Sequence, residues 1–577
     1  MAEGGGAVPG ILRGGEALTL LFAAVVLDLA GAAAGQAPPL SFVDVAADSG
    51  ISRVLLAGRP GKDHLLDSAG AGAAWLDYDQ DGDLDAYLVN GWRLDGGTVV
   101  EKGRNALYRN LGSGRFEDAT DRAGVGGEGE WGAGVAVADY DGDSWPDLFL
   151  SSFGKNVLYR NRGDGTFENV ASRAGVESPG WNTGAAFLDS DSDGDLDLYV
   201  ATYISHSLEQ VLQARPDLDW KGMAKVAVGP FGLRGAADHY FESDGKGGFT
   251  DATERAGLSD KLLGYGFAVR AADLDVDGDQ DLYVANDSEP NYLYRGRSDG
   301  TFEEVGLWTG AALDGDGAAQ AGMGVTVGDA NADGLPDIFV TNFQDDHCTL
   351  YLGEGGGFFR DASDETGVAA PTYPLLSWGT AFVDLDQDGD QDLVVANGHI
   401  YPQVDAHPDS GTSYRQRNLL LRNDGAGRFT DVTADAGPGF KPAKSNRGLA
   451  TGDFDDDGDP DLLITALDDR PNLLRNDTAG GAWLSVLLDP APIAGPAIGA
   501  KVTVRTGTRT QWRDLASSDS FLSSHDPRLH FGLGAATTAD RLEIRWPDGN
   551  RQAYEGIPVN LRLVVPRRLP DRPRTGG

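Results

Sequence analysis

The sequence predicts an all-β fold: a seven-bladed β-propeller closed by its own N-terminal strand, followed by a small β-sandwich-like C-terminal domain. Three observations predict it. An acidic nine-residue motif occurs seven times, each copy lies between two apolar runs, and one apolar run of the last repeat is displaced to the start of the array. The copies begin at Asp77, Asp139, Asp189, Asp273, Asp329, Asp384 and Asp453, at intervals of 62, 50, 84, 56, 55 and 69 residues. Periods of this size indicate a repeat architecture.

Each repeat reads as four strands. The motif, Asp-x-Asp-x-Asp-Gly-x-x-Asp, joins the first strand to the second. A third strand follows, as in Asn105-Ala-Leu-Tyr-Arg-Asn110 and Asn418-Leu-Leu-Leu-Arg-Asn423, and a Gly-rich turn such as Gly163-Asp-Gly165 leads to a fourth. Glycine-containing links this short between apolar runs are hairpin signals. The fourth strand appears at Phe116, Phe167, Phe249, Phe302, Phe359 and Phe429 but not after the seventh motif; the missing copy is Phe42-Val-Asp-Val45. A ring closed by that exchange leaves no open sheet edge. The expected division is a leader over 1–37, the propeller over 40–478, the small domain over 481–566 and a disordered tail over 567–577.

Carboxylates at motif positions 1, 3, 5 and 9, with a backbone carbonyl from position 7, suit a hard cation that takes six to eight oxygens, and calcium in particular. The expected ligands are Asp77, Asp79, Asp81, Asp83 and Asp85; Asp139, Asp141, Asp143, Trp145 and Asp147; Asp189, Asp191, Asp193, Asp195 and Asp197; Asp273, Asp275, Asp277, Asp279 and Asp281; Asp329, Asn331, Asp333, Leu335 and Asp337; Asp384, Asp386, Asp388, Asp390 and Asp392; and Asp453, Asp455, Asp457, Asp459 and Asp461. Up to seven calcium ions follow. An EF-hand is excluded at position 12, where its bidentate Glu is replaced by Leu88, Leu150, Val200, Val284, Val340, Val395 and Ile464, so a strand and not a helix continues from each loop. Solvated acidic turns without a metal would crowd 33 Asp residues into seven loops against mutual repulsion. Two loops are the weakest: the fifth holds Asn331 and Leu335, and the second replaces the turn glycine with Ser144, which tolerates a positive φ poorly.

The whole chain is acidic, with 89 Asp+Glu against 47 Lys+Arg and a net charge of −42. That excludes phosphate-led nucleic-acid binding and disfavours anionic lipid surfaces. A single cysteine, Cys348, excludes a disulfide framework and a CxxC centre; it reads as a small core residue. The apolar run Ala17–Leu27 with Ala32 and Ala34 after it has the form of a secretory signal and is too short to span a bilayer. The expectation is a secreted, periplasmic or extracellular protein with no transmembrane span in its mature chain.

The repeats look like FG-GAP/VCBS repeats, which build the integrin α propeller; the match tightens at Gln320-Ala-Gly-Met-Gly-Val325, Val284-Ala-Asn-Asp-Ser288, Val340-Thr-Asn-Phe343, Trp378-Gly-Thr380, Val395-Ala-Asn-Gly-His-Ile-Tyr-Pro402 and Asn446-Arg-Gly-Leu-Ala450. Ile498-Gly-Ala-Lys-Val502, Ser520-Phe-Leu-Ser-Ser524, Arg528-Leu-His-Phe-Gly-Leu-Gly534 and Arg541-Leu-Glu-Ile-Arg-Trp-Pro-Asp-Gly549 resemble an ASPIC/UnbV domain. Together they resemble the cartilage acidic protein family and its bacterial relatives, over about residues 40–566. The resemblance implies exported calcium-binding propellers. Where relatives often carry a cysteine pair, between Trp220-Lys-Gly222 and Gly229-Pro-Phe-Gly232, this chain has none.

Two long insertions, about 203–237 in the third repeat and 399–417 in the sixth, join second to third strands and rise from the face opposite the acidic loops. Loops of this length in a compact domain are usually functional or disordered. Asn286, Asp287, Asn342, Trp378, His399, Tyr401 and Arg447 collect on that face as ligand candidates. No HExxH, GxSxG, P-loop or GxGxxG is present. Ser524-His525-Asp526 are sequence neighbours, a poor arrangement for a triad. The reading is therefore an exported calcium-binding propeller that binds an extracellular protein or glycan. The alternative is an enzyme with its site at the channel mouth, acting on a carbohydrate or secondary metabolite.

Overall fold

A computed structural model describes residues 12–13, 39–213, 218–227, 229–260, 262–489 and 496–568. The strands of residues 42–476 form seven antiparallel groups of four. The innermost strands are Ala73–Leu76, Trp131–Ala138, Trp181–Leu188, Gly266–Ala272, Gly322–Gly328, Ser377–Val383 and Asn446–Gly452. Each packs on the next, and the seventh returns to the first, so the array is a closed ring. We number the groups as blades one to seven from Ala73. Blades two and three are also joined where Phe153 pairs with Trp181.

Closure occurs where the pattern of fourth strands places it. Phe42–Asp44 pairs antiparallel with Asn472–Asn476, with Phe42 opposite Asn476 and Asp44 opposite Leu474. Phe42 is fully buried and meets Phe440 edge-on at 5.3 Å. The apolar residues at position 12 of each loop lie on second strands, and all seven are buried. Aliphatic and aromatic side chains from neighbouring blades fill each interblade space, as Tyr87, Leu107, Leu148 and Tyr159 do between blades one and two.

A second stitch between blades comes from the third strand's terminal Asn, a role the sequence pattern did not reveal. Asn161 donates to Tyr78 O in the preceding blade at 2.8 Å, Asn423 to Ala330 O at 2.8 Å and Asn476 to Leu385 O at 2.9 Å.

The C-terminal domain has two facing sheets. One contains Ala482–Asp489, Leu529–Gly534 and Leu561–Pro566, extended by Leu12–Arg13 running parallel to Leu561–Pro566. The other contains Lys501–Thr506, Arg509–Asp514, Thr538–Arg545 and Arg551–Pro558. Val486, Val502, Phe531, Leu542, Ile544 and Trp546 form their shared core. Apart from Leu12–Arg13, the expected leader lies outside the described residues. Arg567, which falls in the expected tail, is 5% exposed and stacks its guanidinium 5.3 Å over Trp546. Residues from 569 onward lie outside the described residues. Among the described residues no helix is long and apolar enough to cross a membrane.

The small domain is not a separate bead. Its loop 515–526 enters the ring and bonds to the inner strand of every blade. Ser524 N donates to Ala73 O at 2.9 Å, Val135 N to Leu522 O at 3.2 Å, Ser520 N to Val325 O at 2.8 Å and Asp526 N to Thr451 O at 2.9 Å. Phe187 N donates to Ser517 Oγ at 2.8 Å, Ser518 Oγ to Val269 O at 3.3 Å and Thr380 N to Ser520 Oγ at 2.9 Å. Small hydroxyl side chains let one loop approach seven converging strands and pair polar backbone groups that the channel would otherwise leave buried alone.

Candidate metal loops and the filled channel

The acidic loops end each inner strand, and their geometry repeats. Position 9 is a structural pin: Asp85 accepts Tyr78 N at 3.0 Å and Asn110 N at 2.8 Å, and Asp281 accepts Leu274 N and Gly296 N, both at 2.8 Å. The same pair of backbone bonds recurs at Asp147, Asp197, Asp337, Asp392 and Asp461. Position 1 closes the turn, with Asp77 accepting Asp81 N at 3.1 Å and Gly82 N at 3.0 Å. Desolvation raises these carboxyls: Asp77 and Asp139 reach about 6, Asp189 about 7, and Asp85 and Asp337 about 8.

The turn needs two left-handed residues. Position 6 is Gly82 at φ 97° and its counterparts; position 4 is Gln80, Ser192, Val276, Ala332, Gln387 or Asp456, each at φ between 55° and 65°. The second loop exchanges the two types, with Gly142 at position 4 (φ 72°) and Ser144 at position 6 (φ 73°). Ser144 therefore adopts the conformation expected to be unfavourable there, while Gly142 makes position 4 easier.

The loops fit a hard cation. Carboxylate oxygens of Asp77, Asp79 and Asp85 lie within 4.8 Å of one another, as do those of Asp139, Asp141 and Asp147, of Asp189, Asp191 and Asp193, of Asp273, Asp275 and Asp277, and of Asp384, Asp386 and Asp388. Buried oxygens of Asp79, Asp141, Asp384, Asp453 and Asp455 have no hydrogen-bond partner. An oxygen-only donor set of this kind accepts calcium chemistry. Third-strand arginines compensate part of the charge: Arg109 donates to Asp79 and Asp81 at 2.6 and 2.7 Å, Arg160 bonds Asp141 and Asp143, Arg295 lies 3.0 Å from Asp275, and Arg422 bonds Asp386.

The opposite face differs from expectation. All seven ligand candidates are buried. Asn286 donates to Pro290 O at 2.8 Å, Asp287 accepts Tyr203 Oη at 2.5 Å, and Asn342 donates to Gln320 Oε1 at 3.0 Å. Trp378 Nε1 donates to Gly398 O at 2.8 Å and Tyr401 Oη to Ala227 O at 3.0 Å. His399 Nδ1 accepts Tyr401 N at 3.0 Å, which leaves Nε2 to donate to Gln344 Oε1 at 3.1 Å. Burial drives that imidazole down to about 3, so it is neutral. Arg447 lies 4.1 Å over Trp378 and donates to Ser68 O at 2.7 Å. These residues seal an interior and do not form an open recognition surface.

The two insertions cause the burial by meeting each other. Trp220 of the third blade's insertion packs on His399 of the sixth at 5.7 Å and on Tyr401 at 6.5 Å, and Gln403 ties the sixth's insertion to the segment before the first blade by donating to Gly61 O at 2.7 Å. Phe521, at the tip of the C-terminal loop, lies 4.8 Å from Trp378 and 5.7 Å from Phe267 beneath this lid. The channel mouth expected for an enzyme is thus covered on one side and entered by a loop on the other. A cavity of about 120 Å³ remains on the acidic-loop side, lined by Arg270, Asp514, Asp519 and His525 among others. No triad forms: Ser524 Oγ donates to Ser517 O, and His525 Nδ1 accepts Thr451 N. Cys348 is fully buried, as a core residue should be. A further hairpin missed in the sequence, Trp92–Asp95 with Thr98–Lys102, stands in the first blade's second-to-third connection.

Residues 77–150, 139–200, 273–340, 329–395 and 405–464 match the FG-GAP-like repeat, together more than half of the chain. The chain belongs to the FG-GAP-like repeat family. Residues 494–568 of this FG-GAP-like chain match ASPIC and UnbV. It is 25% identical to cartilage acidic protein 1 of Homo sapiens over 524 residues, covering 86% of this chain and 72% of that one. With cartilage acidic protein 1 of Xenopus tropicalis it shares 26% identity over 517 residues, covering 84% and 72%. Among solved structures, an Agrocybe aegerita lectin that recognises non-reducing terminal N-acetylglucosamine aligns with a TM-score of 0.36 and 16% identity, covering 69% of this chain and 86% of that one. A TM-score that low carries no argument here.

Proposed function

We propose that the FG-GAP-like chain is an exported, calcium-stabilised binding module that recognises an extracellular protein or glycan on the outer surface of its lid. The observation that carries this reading is the filling of the ring from both sides, which leaves outer surfaces for recognition. The lid carries Phe231 and Leu218, 58% and 38% exposed, and the first blade's hairpin Thr98–Lys102 is largely exposed on the same face. Calcium is supported by the clustered carboxylates and by the unpartnered buried oxygens among them. Export is supported by the N-terminal pattern around Ala17–Leu27 and by relatives whose name places them in cartilage.

The test is binding of the calcium-loaded full chain to panels of immobilised glycans and extracellular matrix proteins, compared with Phe231→Asp. A saturable signal that the substitution lowers at least tenfold is expected. Undiminished binding by the variant would remove the lid from the reading, and turnover of a panel sugar would favour an enzyme.

A further inference from the structure

The seven loops differ in the arginines that reach them. The C-terminal domain inserts arginines into three. Arg545 donates to Asp273 Oδ2 at 2.6 Å, the first position of the fourth loop. Arg509 donates to Asp388 O at 3.1 Å and bonds Asp390 in the sixth. Arg562 donates to Asp453 Oδ2 at 3.0 Å and bonds Asp456 in the seventh. The fourth and sixth loops also meet their own third-strand arginines, Arg295 and Arg422.

The third loop stands at the other extreme. It has five Asp residues, and among the described residues no arginine bonds it; the fifth loop is likewise free of arginine bonds but has only three Asp. Register shows why. Asn110 N and Ser243 N make the same bond to position 9 of their loops, so Glu242 occupies the place that Arg109 holds in the first blade. Glu242 turns outward to pair with Arg255. Affinity for a divalent cation follows the number of uncompensated carboxylates and the freedom of the site to close on the ion. An arginine already bonded to a loop carboxylate offsets charge that the ion would use.

Resting on the reading that these loops hold calcium, we propose that the arginines set the order of loading. The third loop fills first and tightest. The fourth, sixth and seventh fill last, because they share carboxylates with the C-terminal domain. Docking of that domain and loading of those three loops are then linked, each weakening the other by the same factor.

Calorimetric titration of calcium into the chelator-stripped full chain tests this, repeated with Glu242→Arg and Arg545→Gln. At least two classes of site are expected. Glu242→Arg moves the local charge by two units beside a divalent ion, so it should weaken the tightest class by at least about tenfold. Arg545→Gln should tighten one weak site by a similar factor. Damage to the structure would weaken it instead, so the sign separates the two causes. If Arg545→Gln does not fold, Glu242→Arg, on a partly exposed side chain, decides. A single class of sites that neither substitution moves overturns the inference and leaves the calcium reading in place; no uptake at all overturns both.

Discussion

Asn110 of blade one donates its side-chain amide to the Phe454 carbonyl of blade seven at 2.8 Å, across the seam where the ring closes. The same amide also holds Leu84 O at 3.0 Å, and its carbonyl accepts Gly112 N at 3.1 Å. One buried side chain therefore satisfies groups on both sides of the join.

Asn110→Ala leaves two buried carbonyls without a donor, at a cost of about 1–3 kcal/mol for each such group. The expected result is a melting temperature several degrees lower. Asn161→Ala, at an ordinary interblade contact, should cost about as much. If differential scanning calorimetry shows no loss for either, the amides are not the stitches described here.

The C-terminal loop should be as important to stability as any blade. Phe521 is fully buried between Trp378 and Phe267. Phe521→Ala should cost about 3–5 kcal/mol, the range for removing a buried aromatic ring. Denaturant unfolding followed by tryptophan fluorescence measures it; a loss below about 1 kcal/mol would mean the loop is held without its tip.

The acidic loops predict an inverted pH dependence in cation-free protein. Asp85 and Asp337 stand near 8 and Asp189 and Asp384 near 7, raised by burial, against about 4 in an unfolded chain. Between those limits the folded state holds more protons than the unfolded one, so stability falls as pH rises. Chelated protein should melt higher at pH 5.5 than at pH 8. Calcium should reverse the order, because it needs the ionised carboxylates. Melting curves at both values, with calcium and with chelator, check the pair of signs; chelated protein that is more stable at pH 8 contradicts the account.

Val276 is a β-branched residue at φ 65° and 47% exposed. A left-handed L-residue costs roughly 1–2 kcal/mol, and Asn tolerates the conformation better. Val276→Asn should therefore raise stability by about 1 kcal/mol, read as a shift in denaturant midpoint at constant slope.

Much of the ring was legible in the sequence because its signals are local and repeated. Seven loops in phase with apolar runs mark the blades, and the displaced Phe42 strand pairs with Asn472–Asn476 where the count places it. The candidate ligand face was misread for a physical reason. His399 and Tyr401 are polar or amphipathic residues in a loop, and sequence spacing cannot show that Trp220 and Ala227, about 170–180 positions earlier, cover them, nor that Arg447 is held by Ser68 and Trp378. The seven-fold role of loop 515–526 was hidden likewise. Ser517, Ser518, Ser520 and Ser524 read as a polar turn until seven separate strands converge on it. Position 4 of the acidic loops did carry a usable signal. Gly142 sits where the other copies have a side chain, opposite in sense to Ser144, and a comparison of copies at that column would have found the second left-handed residue.

The strand Phe42–Asp44 imposes a schedule on synthesis. It leaves the ribosome among the first residues of the folded region, yet its partner Asn472–Asn476 follows more than 400 residues later. Until then the nascent chain carries six complete blades, one unpaired strand and two end blades with an uncovered face. Residues 515–526 emerge later still, so the inner strands wait for their common partner until nearly all of the chain has been made. Contacts this distant in sequence make folding slow, and the long-lived intermediate is an open arc whose two end blades expose apolar faces and whose Phe42 strand is unpaired, the species on which a chaperone or an aggregation event would act.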